Sequence, residues 1–270
     1  CWRTSSSTWY TTGETPVTFK KPTQGRSRLS QVLAGILVNS VYEMENYPVV
    51  LMNTIVSPLS ILLVIVFVSR GSLFGVGIEG GFIMAMFSAG MGLSTDLSHL
   101  KNDFRLQDMI VSSPTSWLTY MTGISLSEIV YSIPALLVLT ILASFGLSLT
   151  LAGVLEFVAV LLLIFIASSS IGFTLSTFSS DIVQSFAFTR LLSTFFSTIP
   201  PVYYPITYIP LPYRYLAYLS PTTYAAELVQ GTGGYLSLSS TTVVIDWTVL
   251  VAVTIALFVL AKTKARWREV

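Results

Sequence analysis

Val49–Ser69 reads VVLMNTIVSPLSILLVIVFVS, 21 residues with no charged side chain. Pro48 stands ahead of it, at the first helical position that proline favours, and Arg70-Gly71 closes it. About 20 apolar residues let a helix cross the roughly 30 Å of hydrocarbon in a bilayer. A surface helix of a soluble protein would carry charges along one side; this one carries none. It has the length and composition of a membrane span.

Five more such runs follow. Gly80–Leu97 is less apolar and rich in small residues; Gly81, Ala85 and Ala89 recur every four positions, a spacing that lets a second helix approach closely. Trp117–Leu149 is 33 residues long, more than one straight span requires, and predicts a tilted helix bent at Pro134. Val154–Thr177 and Ile182–Ile199 form a pair broken by Ser179-Ser180-Asp181, and Val243–Ala261 ends at Lys262 and Lys264. The expected fold class is an all-α membrane protein with six transmembrane helices, at about 49–69, 80–97, 117–149, 154–177, 182–199 and 243–261.

Bulk composition agrees. Of 270 residues 53% are hydrophobic and 10% charged, with a mean hydropathy of +0.74, whereas soluble domains carry about 25% charged residues. A net charge of +1 offers no basic field for nucleic acid. One Cys and one His allow neither an internal disulfide nor the usual His/Cys metal site, so no metal is expected. Cys1 in place of a start Met implies processing or trimming, and a lipidated Cys1 would conflict with the orientation below. Residues 1–27 contain no apolar run of the kind a signal peptide needs and predict a polar cytosolic tail.

Residues 28–47 carry a polar stripe, Arg28, Gln31, Gly35, Asn39, Glu43 and Asn46, on an otherwise apolar helix. The pattern predicts an N-terminal amphipathic interfacial helix, with a buried bundle helix as the alternative. The six-span domain then covers 48–270. Lys and Arg collect on the cytoplasmic side of membrane proteins. With both termini inside, 12 of them fall on inner segments and only Arg70 and Arg214 on outer ones. A multi-pass protein of the plasma (cytoplasmic) membrane, with both termini cytosolic, is the expectation.

Three regions break the regular pattern. The inner segment 96–114 places Leu97, Leu100 and Phe104 on one helical face, ringed by Lys101, Asp103 and Arg105, before Ser112-Ser113-Pro114-Thr115 starts the next helix. It fits a short helix that takes force from a soluble partner, or a plain solvated connection. The segment 200–240 opens with half of the chain's 12 prolines (Pro200, Pro201, Pro205, Pro210, Pro212, Pro221) and seven of its 13 tyrosines, among them Tyr203, Tyr204 and Tyr224. Such backbone cannot cross lipid unpaired, so a re-entrant outer hairpin between spans five and six is expected, dipping part-way into the outer leaflet. Glu128, within the third span, is expensive at that depth and defaults to a functional role. Arg190 in the fifth is its candidate partner, either in a helix-bracing ion pair or on a translocation path.

The order Ile199-Pro200-Pro201-Val202-Tyr203-Tyr204-Pro205, Ile209-Pro210, then Tyr218-Leu219-Ser220-Pro221-Thr222-Thr223-Tyr224-Ala225-Ala226-Glu227 resembles the end of type 2 ATP-binding-cassette (ABC) exporter permeases. Ser113-Pro114-Thr115-Ser116 matches a second hallmark, and the resemblance runs from about Val49 to the C-terminus. Two departures stand out: Ser220 replaces the usual Asn, and Gln230 lies near where Arg is common.

The resemblance implies a half-transporter. Its partners would be a second permease copy (the same chain or a related one), two copies of a separate ATPase subunit, and the lipid bilayer. It implies no enzyme activity and no cofactor in this chain, with ATP and Mg on the partner; the chain has no Gly-x-x-x-x-Gly-Lys-[Ser/Thr] phosphate loop. Residues 96–108 would be the coupling helix, 28–47 the connecting helix, and Pro200 to Glu227 the outer gate. An amphipathic or hydrophobic cargo, drug-like or lipid, is preferred over a lipid-linked polysaccharide, since no large soluble domain is present to read a glycan end.

From other classes, an ion-coupled secondary carrier remains open through Glu128 and Arg190. A membrane hydrolase lacks its motifs, and Asp181 and Asp246 fall at span ends rather than inside spans.

Overall fold

The computed structural model describes residues 40–46, 48–102, 117–147, 149–179 and 181–264. The polar tail, most of the expected amphipathic helix and positions 103–116 lie outside the described residues. In chain order the helices are α1 (Tyr42–Asn46), α2 (Pro48–Val68), α3 (Phe74–Asn102), α4 (Trp117–Gly146), α5 (Leu151–Phe178) and α6 (Ile182–Thr198). A 3₁₀ turn at Ile206–Tyr208 and the short α7 (Arg214–Ala217) lead to α8 (Pro221–Thr232) and α9 (Ser240–Lys264). Among the described residues four stretches are long and apolar enough to cross a membrane: Phe74–His99, Met121–Gly146, Leu151–Phe178 and Ser240–Lys264, with a shorter apolar stretch, Thr54–Val68, in α2.

The centre of the bundle is α3, which packs most extensively on α5 and then on α4, α6 and α2. It is almost wholly buried in protein, while α4 and α9 turn most of their surface outward. This explains why the second run reads as the least apolar: its neighbours are helices, and small residues set how close they come. A tight approach joins Gly90 of α3 to Ser169 and Gly172 of α5. A Cβ on Gly90 would lie 2.6 Å from the Ser169 amide nitrogen, and one on Gly172 would lie 2.7 Å from the Gly90 carbonyl oxygen. Of the stripe expected to make close approaches, Gly81 meets Leu139 of α4, whereas Ala85 and Ala89 face a cavity.

Several boundaries differ from expectation. The second span starts earlier, at Phe74, and ends later, at Asn102; the last extends to Ser240 and Lys264; α4 stops at Gly146 and passes Pro134 as one unbroken helix. Asp96–Asn102 is the final turns of α3, not a separate helix. The expectation that Leu97 faces a partner is corrected by its burial. It is 6% exposed, in a cluster with Leu93, Met121, Ile124, Phe173 and Ala261 that closes this end of the bundle.

At the opposite end the chain between α6 and α9 folds back over the bundle. A Gly146 Cβ would collide with Phe74, and the Tyr235 hydroxyl donates to the Gly146 carbonyl at 2.9 Å. Helix α8 packs against α3, α5 and α9. Side-chain caps mark the starts: the Thr150 hydroxyl receives the Gly153 amide, Asp181 the Gln184 amide, and Ser220 the Thr222 amide with Pro221 at the first turn. Ser caps as well as Asn does, so the departure at Ser220 keeps the same local structure.

Candidate functional site

A cavity of about 550 Å³ opens between α2, α3, α4 and α6. Helical spacing puts its lining on one face of each. On α6 the residues are Phe186, Thr189, Arg190, Ser193, Thr194 and Ser197, three to four apart. The other face of α6 shows Val183, Leu191 and Phe195 outward. This helix is amphipathic, with a polar face toward the cavity and an apolar outer face. Helix α2 contributes Thr54, Ser57 and Ile61; α3 contributes Ser88, Gly92, Thr95 and Asp96; α4 contributes Ser127, Glu128, Tyr131 and Ser132.

The wall is rich in hydroxyl groups, and several are fixed by their own helices. Ser127 donates to the Ile124 carbonyl at 2.6 Å, Ser132 to Glu128 at 2.9 Å and Ser197 to Thr194 at 3.0 Å. Each hydroxyl hydrogen is spent on the backbone, and the oxygen keeps lone pairs to accept a further bond. The Ser127 carbonyl receives the buried Ser40 hydroxyl at 2.6 Å, tying the start of the described chain to α4.

Glu128 and Arg190, paired by the sequence, line this same cavity. Glu128 is 9% exposed and lies against Gly92, where a Cβ would come within 3.0 Å of its Oε2. Glycine there makes room for the carboxyl group.

The hairpin reaches the cavity through Tyr203, which is buried and lines it. The loop carrying Tyr203 rests directly on α3, since a Cβ on Gly80 would lie 2.5 Å from the Val202 carbonyl oxygen. Gln230 holds it from the other side, its amide donating to the carbonyls of Pro201 at 3.2 Å and Tyr204 at 3.4 Å. A neutral amide therefore does at position 230 what backbone carbonyls require of a donor there.

Behind this loop Tyr218 donates to Glu227 at 3.0 Å, the Tyr224 hydroxyl donates to the Tyr218 carbonyl at 2.9 Å, and the Thr223 hydroxyl caps Ala217. Burial pushes the Tyr218 phenol above its ordinary range, so it stays a donor. Pro200, Pro201 and Pro205 are buried in the turn and Pro221 in the α8 start, whereas Pro210 is exposed and away from these contacts.

Two buried acids were missed. Asp246 was placed at a span end, but α9 begins six residues earlier and the side chain is 2% exposed. Glu79 fell outside the second run, yet it lies in α3 and is 0% exposed. The signal was faint: Glu79 precedes the Gly80-Gly81 pair, where bulk is excluded. Of the proposed coupling residues, Leu100 and Lys101 fall on the last turn of α3, while Asp103, Phe104 and Arg105 lie outside the described residues.

The family model for the ABC-2 type transporter matches residues 29–232, a range containing α2 through α8 and the whole cavity. No curated protein matches the chain.

Proposed function

Because the chain belongs to the ABC-2 type transporter family, a multi-pass ABC permease subunit, we propose that it exports an amphipathic molecule from the cell, driven by ATP hydrolysis on a separate ATPase subunit. The observation that supports this reading is the hydroxyl-lined cavity whose wall α6 has an apolar outer face. A cargo can set a hydrogen-bonding head against Ser88, Ser132 and Ser193 while its apolar part stays beside α2 and α6. A volume of about 550 Å³ lies within the roughly 300–1,000 Å³ typical for a drug-sized ligand. This favours a small amphipath or a lipid head over a polymer.

In this reading α2, α3, α4, α5, α6 and α9 are the six spans, in the plasma membrane with both ends cytosolic. Residues 200–240 form the re-entrant gate on the outer side. A second permease copy completes the path, and two ATPase subunits dock at the inner end beyond Asn102. Glu128 and Arg190 act on the path itself, by orienting a polar head.

The test is transport in sealed vesicles containing the chain and its ATPase. Uptake into inside-out vesicles should require ATP and should fall at least tenfold in Ser193→Phe, which fills the cavity, with insertion and ATPase binding intact. Transport driven by an ion gradient without ATP would favour the carrier reading instead.

A further inference from the structure

The hairpin end holds carboxyl groups that the cavity does not use. Glu79 of α3 is 0% exposed, and among the described residues neither of its oxygens receives a hydrogen bond. Glu227 of α8 and Asp246 of α9 are each 2% exposed. Glu227 Oε1 accepts from Tyr218, but among the described residues neither Glu227 Oε2 nor Asp246 Oδ2 finds a donor.

Their surroundings supply little positive charge. Glu79 lies against Gly233, with Tyr235 in electrostatic reach. Asp246 is in reach of Glu227, Tyr218 and Tyr224. Arg214 is in reach of Glu227, but its guanidinium already donates to the Ile209 carbonyl at 3.1 Å. On α5, Glu156 accepts the Trp247 indole N–H at 3.3 Å.

A bare carboxylate buried without a partner costs several kcal/mol even after relaxation, so Glu79, and Glu227 and Asp246 with a single guanidinium in reach of Glu227, cannot all be ionised. A metal ion fits badly. Calcium takes about 6–8 oxygen ligands, and among the described residues no three His, Cys, Asp or Glu side chains are grouped to share an ion. A proton neutralises each group where it stands and needs no further ligands.

We propose that the seated hairpin is a proton-binding site: Glu79, Glu227 and Asp246 carry protons while it covers them and release them to water when it lifts. Lifting then depends on the pH of the face the hairpin opens to. Each proton released makes lifting about tenfold easier per pH unit, through linkage of proton binding to the conformational equilibrium. Acid holds the hairpin down and alkali frees it.

The experiment uses the full chain in lipid nanodiscs, with Cys1→Ser and a single Ile206→Cys reporter; Ile206 is buried in the seated hairpin. Its maleimide labelling rate is divided by that of the exposed Tyr208→Cys, which removes the thiol's own pH dependence. The ratio should rise at least tenfold per pH unit as pH is raised through neutrality. Its slope should fall in Glu227→Gln/Asp246→Asn, whose amides mimic the protonated groups and leave Glu79 alone to release a proton, flatten when Glu79→Gln is added, and stay unchanged in Glu156→Gln. Infrared difference spectra of the unmodified chain should show protonated carboxyl absorption at neutral pH, diminished in the double variant. A pH-independent ratio, no such absorption, or a ratio set by sodium or potassium at fixed pH would overturn the proposal. Because the infrared signal needs no variant, misfolding of the double variant does not remove the test.

Discussion

Gly80→Ala tests the seat of the hairpin with one methyl group. The new Cβ would stand 2.5 Å from the Val202 carbonyl oxygen and 2.8 Å from Tyr203 Cδ1, where ordinary contact starts near 3.4 Å. Backbone must therefore yield by about 0.9 Å, since no flexible side-chain end is there to give way. Overpacking of this kind costs about 1–3 kcal/mol. The same shift stretches the two Gln230 bonds at 3.2 and 3.4 Å, each contributing about 0.5–1.5 kcal/mol. The seated state should lose about 2–6 kcal/mol in all, a shift of at least about 30-fold toward the lifted hairpin.

The control is its neighbour. A Cβ on Gly81 meets the end of the Leu139 side chain at 3.0 Å, which can rotate aside. Both substitutions gain the same helix propensity, about 0.8–1 kcal/mol, so the difference between them isolates the hairpin contact. Labelling of Ile206→Cys, in the regime where it follows the open population, should rise at least about 30-fold in Gly80→Ala, because α3 is helical in both hairpin states and the propensity gain cancels between them. It should stay near the parent rate in Gly81→Ala. Equal rates in the two variants would refute the close approach of the 200–204 loop to α3.

Two further outcomes bear on the membrane arrangement and on coupling. In a Cys1→Ser background, an impermeant reagent should label Ser237→Cys from outside and Lys264→Cys only from inside; labelling of both from one side would end the six-span orientation. Phe104→Asp should leave the permease inserted but lose the ATPase in co-purification or uncouple hydrolysis from transport, while Val17→Asp in the polar tail does neither; full coupled transport by Phe104→Asp would make 103–114 an ordinary connection.

Hydropathy and turn chemistry carried much of the architecture. Every strongly apolar run became a helix, and the Pro/Tyr-rich segment became a stretch of turns and short helices between α6 and α9. Each of these depends on residues close in sequence, so a local pattern suffices to find it. Glu128 and Arg190, singled out as charges inside apolar runs, both line one cavity.

What the sequence determined alone is therefore the class of environment: a chain with 10% charged residues must place its helices in lipid, and a Pro-rich stretch among them must interrupt the helices. Tertiary structure decided which helix is central. The second run looked weak because hydropathy measures affinity for lipid, whereas α3 is solvated by α5, α4 and α6 and selects for close contact at Gly80, Gly90 and Gly92. It also decided the fate of Glu79, Asp246 and Leu97. Near a helix end each can face water or protein, and nothing local distinguishes the two; their burial is imposed by α8, Tyr235 and the Met121–Phe173 cluster, which arrive from distant parts of the chain.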